Sequence, residues 1–358
     1  MKFGIFMLMQ SPDMLSSSEV YANAIEQAKL ADELGFDYVV AAEHHFSSYG
    51  FLPNPLMLIS TLAQHTRNVR FSTAVVVLPL RNPIHTAEEI AMLDHLTNGR
   101  LEVGFGTGYQ EYEFQRFQRP LEENRLMFEE SLDVIYNALT HAPFSHEGRY
   151  YQIPETTILP RPLQQPHPPF WRATSSVESM ASALKRGMNV ITGGTSGSTQ
   201  RVIKSWNMFQ EAVGLSGKSW PQEFIVQRGV YVTDSEEDAK AQLPHAVWHT
   251  RSARGLRTNT LRVDAGKART DLTPGRPDED DPEFLYNDWL FGTPESVAEK
   301  VHSLIEATGM TYLNCTFSIG QIPHKKVLRS MELFATEVMP RFRNHQPDQA
   351  KYSLQGQA

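Results

Sequence analysis

Three short stretches bring together residue types that could do chemistry: VVAAEHHF at 39–46, GFGTGYQ at 104–110 and ATSSVES at 173–179. In the first, four small apolar residues run into Glu43, His44 and His45. Imidazole moves protons near neutral pH, so a histidine at a strand end is a candidate acid or base. Neighbours on an extended chain point to opposite sides, so His44 and His45 cannot readily share one ion. No HxH pair or HExxH helix stands elsewhere, and the reading is therefore against a metal. The plainer reading is that one histidine packs under a loop while the other is solvated.

In the second stretch Gly104, Gly106 and Gly108 do not make a dinucleotide fingerprint opening a helix. Small residues at a strand end let a flat ring approach the backbone, although they serve equally as turn glycines. The third stretch places serines and a threonine where a helix begins. Free N–H groups and the helix dipole favour a phosphate there, and ordinary capping by Ser175 or Ser176 is the simpler alternative. Arg125 could pair with the same phosphate through its fork of donors, with a surface role as its default.

These residues become one site only if the fold gathers them. Short apolar runs alternate with helical periods over most of the chain. Strand candidates are KFGIFML, FDYVVAA, VRFSTAVVVL, RLEVGFG, FWRAT, NVIT, FIVQRGVYVT and TYLNCTF. Most lack a polar–apolar alternation, as expected of parallel strands covered on both faces. Between them, Val20, Ala24, Ala28, Ala31 and Leu34 share a helical face, and Asn54-Pro55 and Asn98-Gly99 mark a helix start and a helix end. Eight such units favour an α/β fold, a (β/α)8 TIM barrel, over an open doubly wound sheet. Residues 142–169 are proline-rich and read as a loop. Residues 250–290 carry the acidic run PDEDDPEF and form a lid-like insertion before the last strand. One barrel domain over 1–343 and a flexible tail at 344–358 complete the expected organisation.

In such a barrel the strand ends and following loops of one face hold the reactive groups. A flat-ring site, a helix-terminal anion site and a strand-end histidine on that face describe a flavin mononucleotide pocket.

The chain has 358 residues and a net charge of −8, with basic residues scattered, which disfavours a nucleic-acid surface. A single cysteine, Cys315, excludes an intramolecular disulfide and fits a reducing compartment. With no apolar run near membrane-spanning length and no signal-like N-terminus, the protein reads as soluble and cytoplasmic.

The order of these motifs resembles the bacterial luciferase-like, flavin-dependent monooxygenase family. The matching segments are MKFGIF, ADELGFDYVVAAEHHF, STAVVVLPLRNP, AEEIAMLDHLTNGRLEVGFGTG, Glu113-Phe114, RPLQQPHPPFW, FGTPESV and MELFATEVMPR, spread over almost the whole chain. The resemblance implies a barrel that binds reduced FMN (FMNH2) from a separate flavin reductase. Oxygen adds at the flavin C4a to give a peroxyflavin, which inserts one atom from O2 into a small organic substrate. It places His44 on the catalytic histidine and Glu43 on the same strand end. Ala74 and Val75 fall on a pair joined by a cis peptide under the flavin ring. Arg125, Ser176 and Ser179 fall on phosphate contacts. Gly106 and Thr107 stand where luciferase α subunits carry a cysteine and an arginine, which removes one phosphate contact and leaves room above the ring. A homodimer through the second and third helices is also implied, with a heterodimer as the other form. The alternatives are a deazaflavin-dependent oxidoreductase and a non-catalytic flavin-binding accessory subunit. Substrate choice falls to the lid and to residues such as Phe46, Leu78, Tyr109 and Trp289.

Overall fold

The computed structural model describes residues 1–192, 198–219, 222–257, 261–264, 267–270, 272 and 281–345. Eight strands pair in parallel all the way round. In chain order they are Lys2–Met7, Tyr38–Ala41, a third in two pieces (Arg70–Thr73 and Val76–Val77), Val103–Gly106, Phe170–Ala173, Asn189–Ile191, Phe224–Val232 and Tyr312–Thr316. The pieces of the third strand face different neighbours. Arg70–Thr73 pairs with the second strand, Val76–Val77 pairs with the fourth, and a bridge between Phe71 and Leu101 completes the ring. The expected barrel is what the chain forms.

The break falls at Ala74-Val75, which are joined by a cis peptide bond. Thr73 bridges it, its Oγ1 donating to Gly104 O at 2.8 Å and accepting from Gly104 N at 2.9 Å. Gly104 has to be glycine here, because a Cβ would run into the Thr73 carbonyl.

Two apolar layers follow from strands buried on both faces. Phe3, Ile5 and Met7 pack outward against the helices, whereas Phe6 and Leu8 join Tyr38, Trp171, Ile191, Ile225 and Tyr312 in the lumen. One acid anchors the lumen: Glu102 accepts from Tyr38 Oη at 3.0 Å, Trp171 Nε1 at 2.7 Å and Arg70 Nε at 2.9 Å. A buried carboxylate with three donors is a satisfied group, so the barrel floor is a plug rather than a channel.

The helices start where the side chains can cap them. Asn54 Oδ1 accepts from Met57 N, Asn82 Oδ1 from Ile84 N, and Ser176 Oγ from Ser179 N, each cap contributing about 1 kcal/mol. The stretch read as a loop holds an antiparallel hairpin, Phe144–Glu147 with Gln152–Thr156. A short strand, Leu290–Gly292, also pairs with Phe224–Val232. Within 250–290 lie the end of helix Leu243–Arg257, a hairpin (Leu261–Asp264 with Lys267–Thr270) and helix Pro282–Asp288. Residues 273–280, with half of the acidic run, and 346–358, most of the expected tail, lie outside the described residues. Among the described residues no helix is long and apolar enough to cross a membrane.

Candidate functional site

At the strands' C-terminal ends the barrel opens into a cavity of about 860 Å³. Glu43, His44, Ala74, Val75, Gly106, Thr107, Arg125 and Ser179 all line it. Residues far apart in sequence thus meet because each follows a parallel strand on the same face. Ser176 is not among the lining residues, and its Oγ is engaged as the cap of helix Val177–Lys185.

The two histidines part as their alternation requires. His44 turns into the cavity with its side chain 12% exposed. His45 is buried, 3.0 Å from Glu43 Oε1 and edge-on to Phe117 at 4.8 Å. Gln110 Nε2 lies 3.3 Å from His44 Nδ1, and Glu113 Oε1 lies 3.8 Å from the same nitrogen. Tyr49 meets the His44 ring edge-on at 5.1 Å. An amide N–H directed at Nδ1 leaves the proton of the neutral ring on Nε2. Glu113 is buried and held in turn by His45 N at 3.0 Å and Tyr112 Oη at 3.3 Å. Its carboxylate gives the imidazole a fixed counter-charge.

Glu43 belongs to the wall behind the broken strand. Its Oε2 accepts from Val77 N at 3.3 Å, and its own N–H donates to Val75 O at 3.3 Å. Glu43 therefore ties down the chain just after the Ala74-Val75 link, through its carboxylate at Val77 and its backbone N–H at Val75. Gly106 sits against this link: a Cβ there would stand 2.5 Å from Val75 Cγ2. The space expected above Gly106 is already taken by the valine.

The opposite side is basic. Arg172 is the last residue but one of the fifth strand and is 3% exposed, its Nη2 bonded to Glu129 Oε1 at 2.5 Å and its guanidinium 4.8 Å from the Phe128 ring. Among the described residues its buried Nη1 has no hydrogen-bond partner. Thr174, Ser175 and Ser179 line the adjoining wall at the start of helix Val177–Lys185, and Arg125 and Arg201 complete it. An unpaired guanidinium N–H beside a helix N-terminus suits a phosphate or similar anion.

Gln110, Arg172, Arg201 and Arg257 escaped the reading of the sequence as site residues. An arginine inside the apolar run FWRAT was the one available signal, since an unpaired charge is costly in a buried strand. Of the four residues put forward for specificity, Tyr109 lines the cavity. Leu78 and Trp289 are buried in the core, and Phe46 packs on Phe117 outside it.

Residues 1–312, which carry the first seven strands and the whole of the site, match the family model described as luciferase-like monooxygenase. The chain belongs to the luciferase-like monooxygenase family. Among relatives, it is 34% identical to the oxygenase component of the flavin-dependent trigonelline monooxygenase of Acinetobacter baylyi, over 67% of each chain. Monooxygenase RslO1 from Streptomyces bottropensis superimposes with a TM-score of 0.83 at 26% identity, covering 96% of this chain and all of that one. The oxygenating constituent of 3,6-diketocamphane monooxygenase from Pseudomonas putida, solved in complex with FMN, shares the fold. Its TM-score is 0.75 at 24% identity, over 95% of this chain and 98% of that one.

Proposed function

We propose that this chain is the oxygenase component of a two-component flavin-dependent monooxygenase. It takes reduced FMN from a separate reductase and, with O2, oxidises a small organic substrate beside His44. One oxygen atom enters the substrate and the other leaves as water. The observation that carries this reading is the two-ended cavity, with His44 and Gln110 at one end and Arg172 with the start of helix Val177–Lys185 at the other.

The residues present fit the cofactor. The unpaired Arg172 Nη1, the Ser175 and Ser179 side of the wall and Arg125 would hold the phosphate. Ala74, Val75 and the glycines after the fourth strand leave a flat wall for the ring. Reduced flavin, when bound, supplies the electrons that activate oxygen. The protein's own part is proton handling and exclusion of water. His44 offers an N–H at Nε2 while Gln110 holds Nδ1, and Glu113 balances the ring when both nitrogens are protonated. Burial pushes the Tyr49 phenol up, so it stays a neutral donor beside the ring. A homodimer is part of the same reading, since Met57 on helix Pro55–Ala63 and Met92 and Leu96 on helix Pro83–Leu96 are exposed.

Anaerobic titration with reduced FMN, reduced riboflavin and a reduced deazaflavin tests the cofactor. FMN should bind at least about tenfold tighter than riboflavin, the worth of one charge-assisted contact. Preference for the deazaflavin would overturn the reading.

A further inference from the structure

A fourth arginine stands apart from the phosphate-fitting wall. Arg257 ends helix Leu243–Arg257, which follows the seventh strand, and lines the cavity at its mouth. Its guanidinium lies 5.4 Å from the centre of the Tyr109 ring. Tyr109 Oη in turn accepts from Gln110 Nε2 at 3.3 Å, the same amide that meets His44. The Tyr49 hydroxyl lies near enough to Arg257 and Tyr109 to feel both. Arg257 therefore belongs to the His44 end.

Among the described residues no carboxylate lies within ion-pair reach of Arg257. An arginine in a last turn gains from the helix dipole wherever it points. That gain does not explain a guanidinium stationed on an aromatic face in a cavity wall. Stacking on Tyr109 fixes the plane of the fork and leaves its edge donors to a ligand. Phe6 and Leu8 line the same cavity and provide apolar surface for a hydrocarbon body.

We propose that the substrate is a small organic carboxylate with an apolar body, its carboxylate held by Arg257 on Tyr109 and its reacting carbon turned toward His44. This rests on the monooxygenase reading for the use of the site, while the anion-binding claim is tested by binding alone.

The test is calorimetric titration of the FMN-loaded protein with benzoate, salicylate, phenylacetate and cyclohexanecarboxylate, each beside its primary amide. At least one acid should bind about tenfold or more tighter than its amide, as a charge-assisted contact requires. Arg257→Ala should abolish that preference, and Arg257→Lys should keep part of it. FMN affinity should stay the same in both variants. Absence of any acid preference, an unchanged preference in Arg257→Ala, or a parallel loss of FMN affinity would each overturn the proposal. The last outcome would assign Arg257 to the cofactor. A failed flavin reaction with acid preference intact would count against the monooxygenase reading alone.

Discussion

The side chains of His44 and Gln110 meet at 3.3 Å although they belong to loops that follow the second and the fourth strand. Between these strands lies the broken third strand, so the contact spans the Ala74-Val75 wall. Gln110 is buried, and among the described residues its Oε1 has no partner, so the amide can turn to present an acceptor when His44 Nδ1 carries a proton. One residue thus serves the imidazole in either protonation state.

Removing that support should misplace the ring without touching the cofactor. Gln110→Leu is expected to lower substrate turnover by about tenfold to a hundredfold, within the range assigned to positioned acid–base groups. Reduced-FMN affinity should remain that of the wild type. Steady-state oxygenation beside anaerobic titration checks this, and unchanged turnover would remove Gln110 from the account.

At the other end, Arg172→Met should weaken FMN by about 1.5–3 kcal/mol, a charge-assisted contact, while riboflavin affinity barely moves. The variant also removes one of Glu129's two arginine partners, but Arg186 Nη1 stays 3.6 Å from Glu129 Oε2 and the carboxylate is 35% exposed. Equal losses for FMN and riboflavin would mean that Arg172 supports the wall and does not hold a phosphate.

Gly104→Ala tests the bridge over the broken strand. The new methyl meets the Thr73 carbonyl, a backbone group that cannot swing away. A loss of about 1–3 kcal/mol in urea denaturation is expected. Full stability would show that the strand ends part without cost.

The acid limb of the stability curve should report His249. This ring is fully buried and pushed down to about 3, chiefly by desolvation, with the charge of His44 acting in the same direction. Its Nδ1 lies 2.7 Å from Gln10 Nε2. In the unfolded chain the imidazole takes a proton below its ordinary value of about 6.5, and in the folded chain it does not until near 3. The unfolded state then binds more protons, so stability falls as pH drops through that window, by about 1.4 kcal/mol per unit at most. His249→Gln should flatten this limb relative to the wild type. Parallel curves would show that the ring titrates alike in both states.

Much of this arrangement is legible in the residues themselves. Unalternated apolar runs mark strands covered on both sides, and Asn54-Pro55 marks a helix start because cap chemistry is local. The split of His44 from His45 follows from strand alternation alone. The hairpin at Phe144–Glu147 and Gln152–Thr156 leaves little trace because most of its residues are exposed, so no buried face imposes a period of two. Leu290–Gly292 is too short to show a period at all. Arg172 and Arg257 were hidden for a different reason: what each faces depends on barrel closure and on where helix Leu243–Arg257 brings its last residue, neither of which is a local property. Ser176 shows the converse. Its local chemistry, capping, is what the structure displays.

The most direct test of the central claim is rapid mixing of the reduced-FMN-loaded protein with oxygenated buffer, following the visible absorbance of oxidised flavin. The account predicts a delay before that absorbance returns in the wild type. In His44→Ala the delay should shorten by about tenfold or more, in keeping with the loss of a positioned proton donor, with reduced-FMN affinity unchanged. Immediate, single-step reoxidation in both proteins would contradict it.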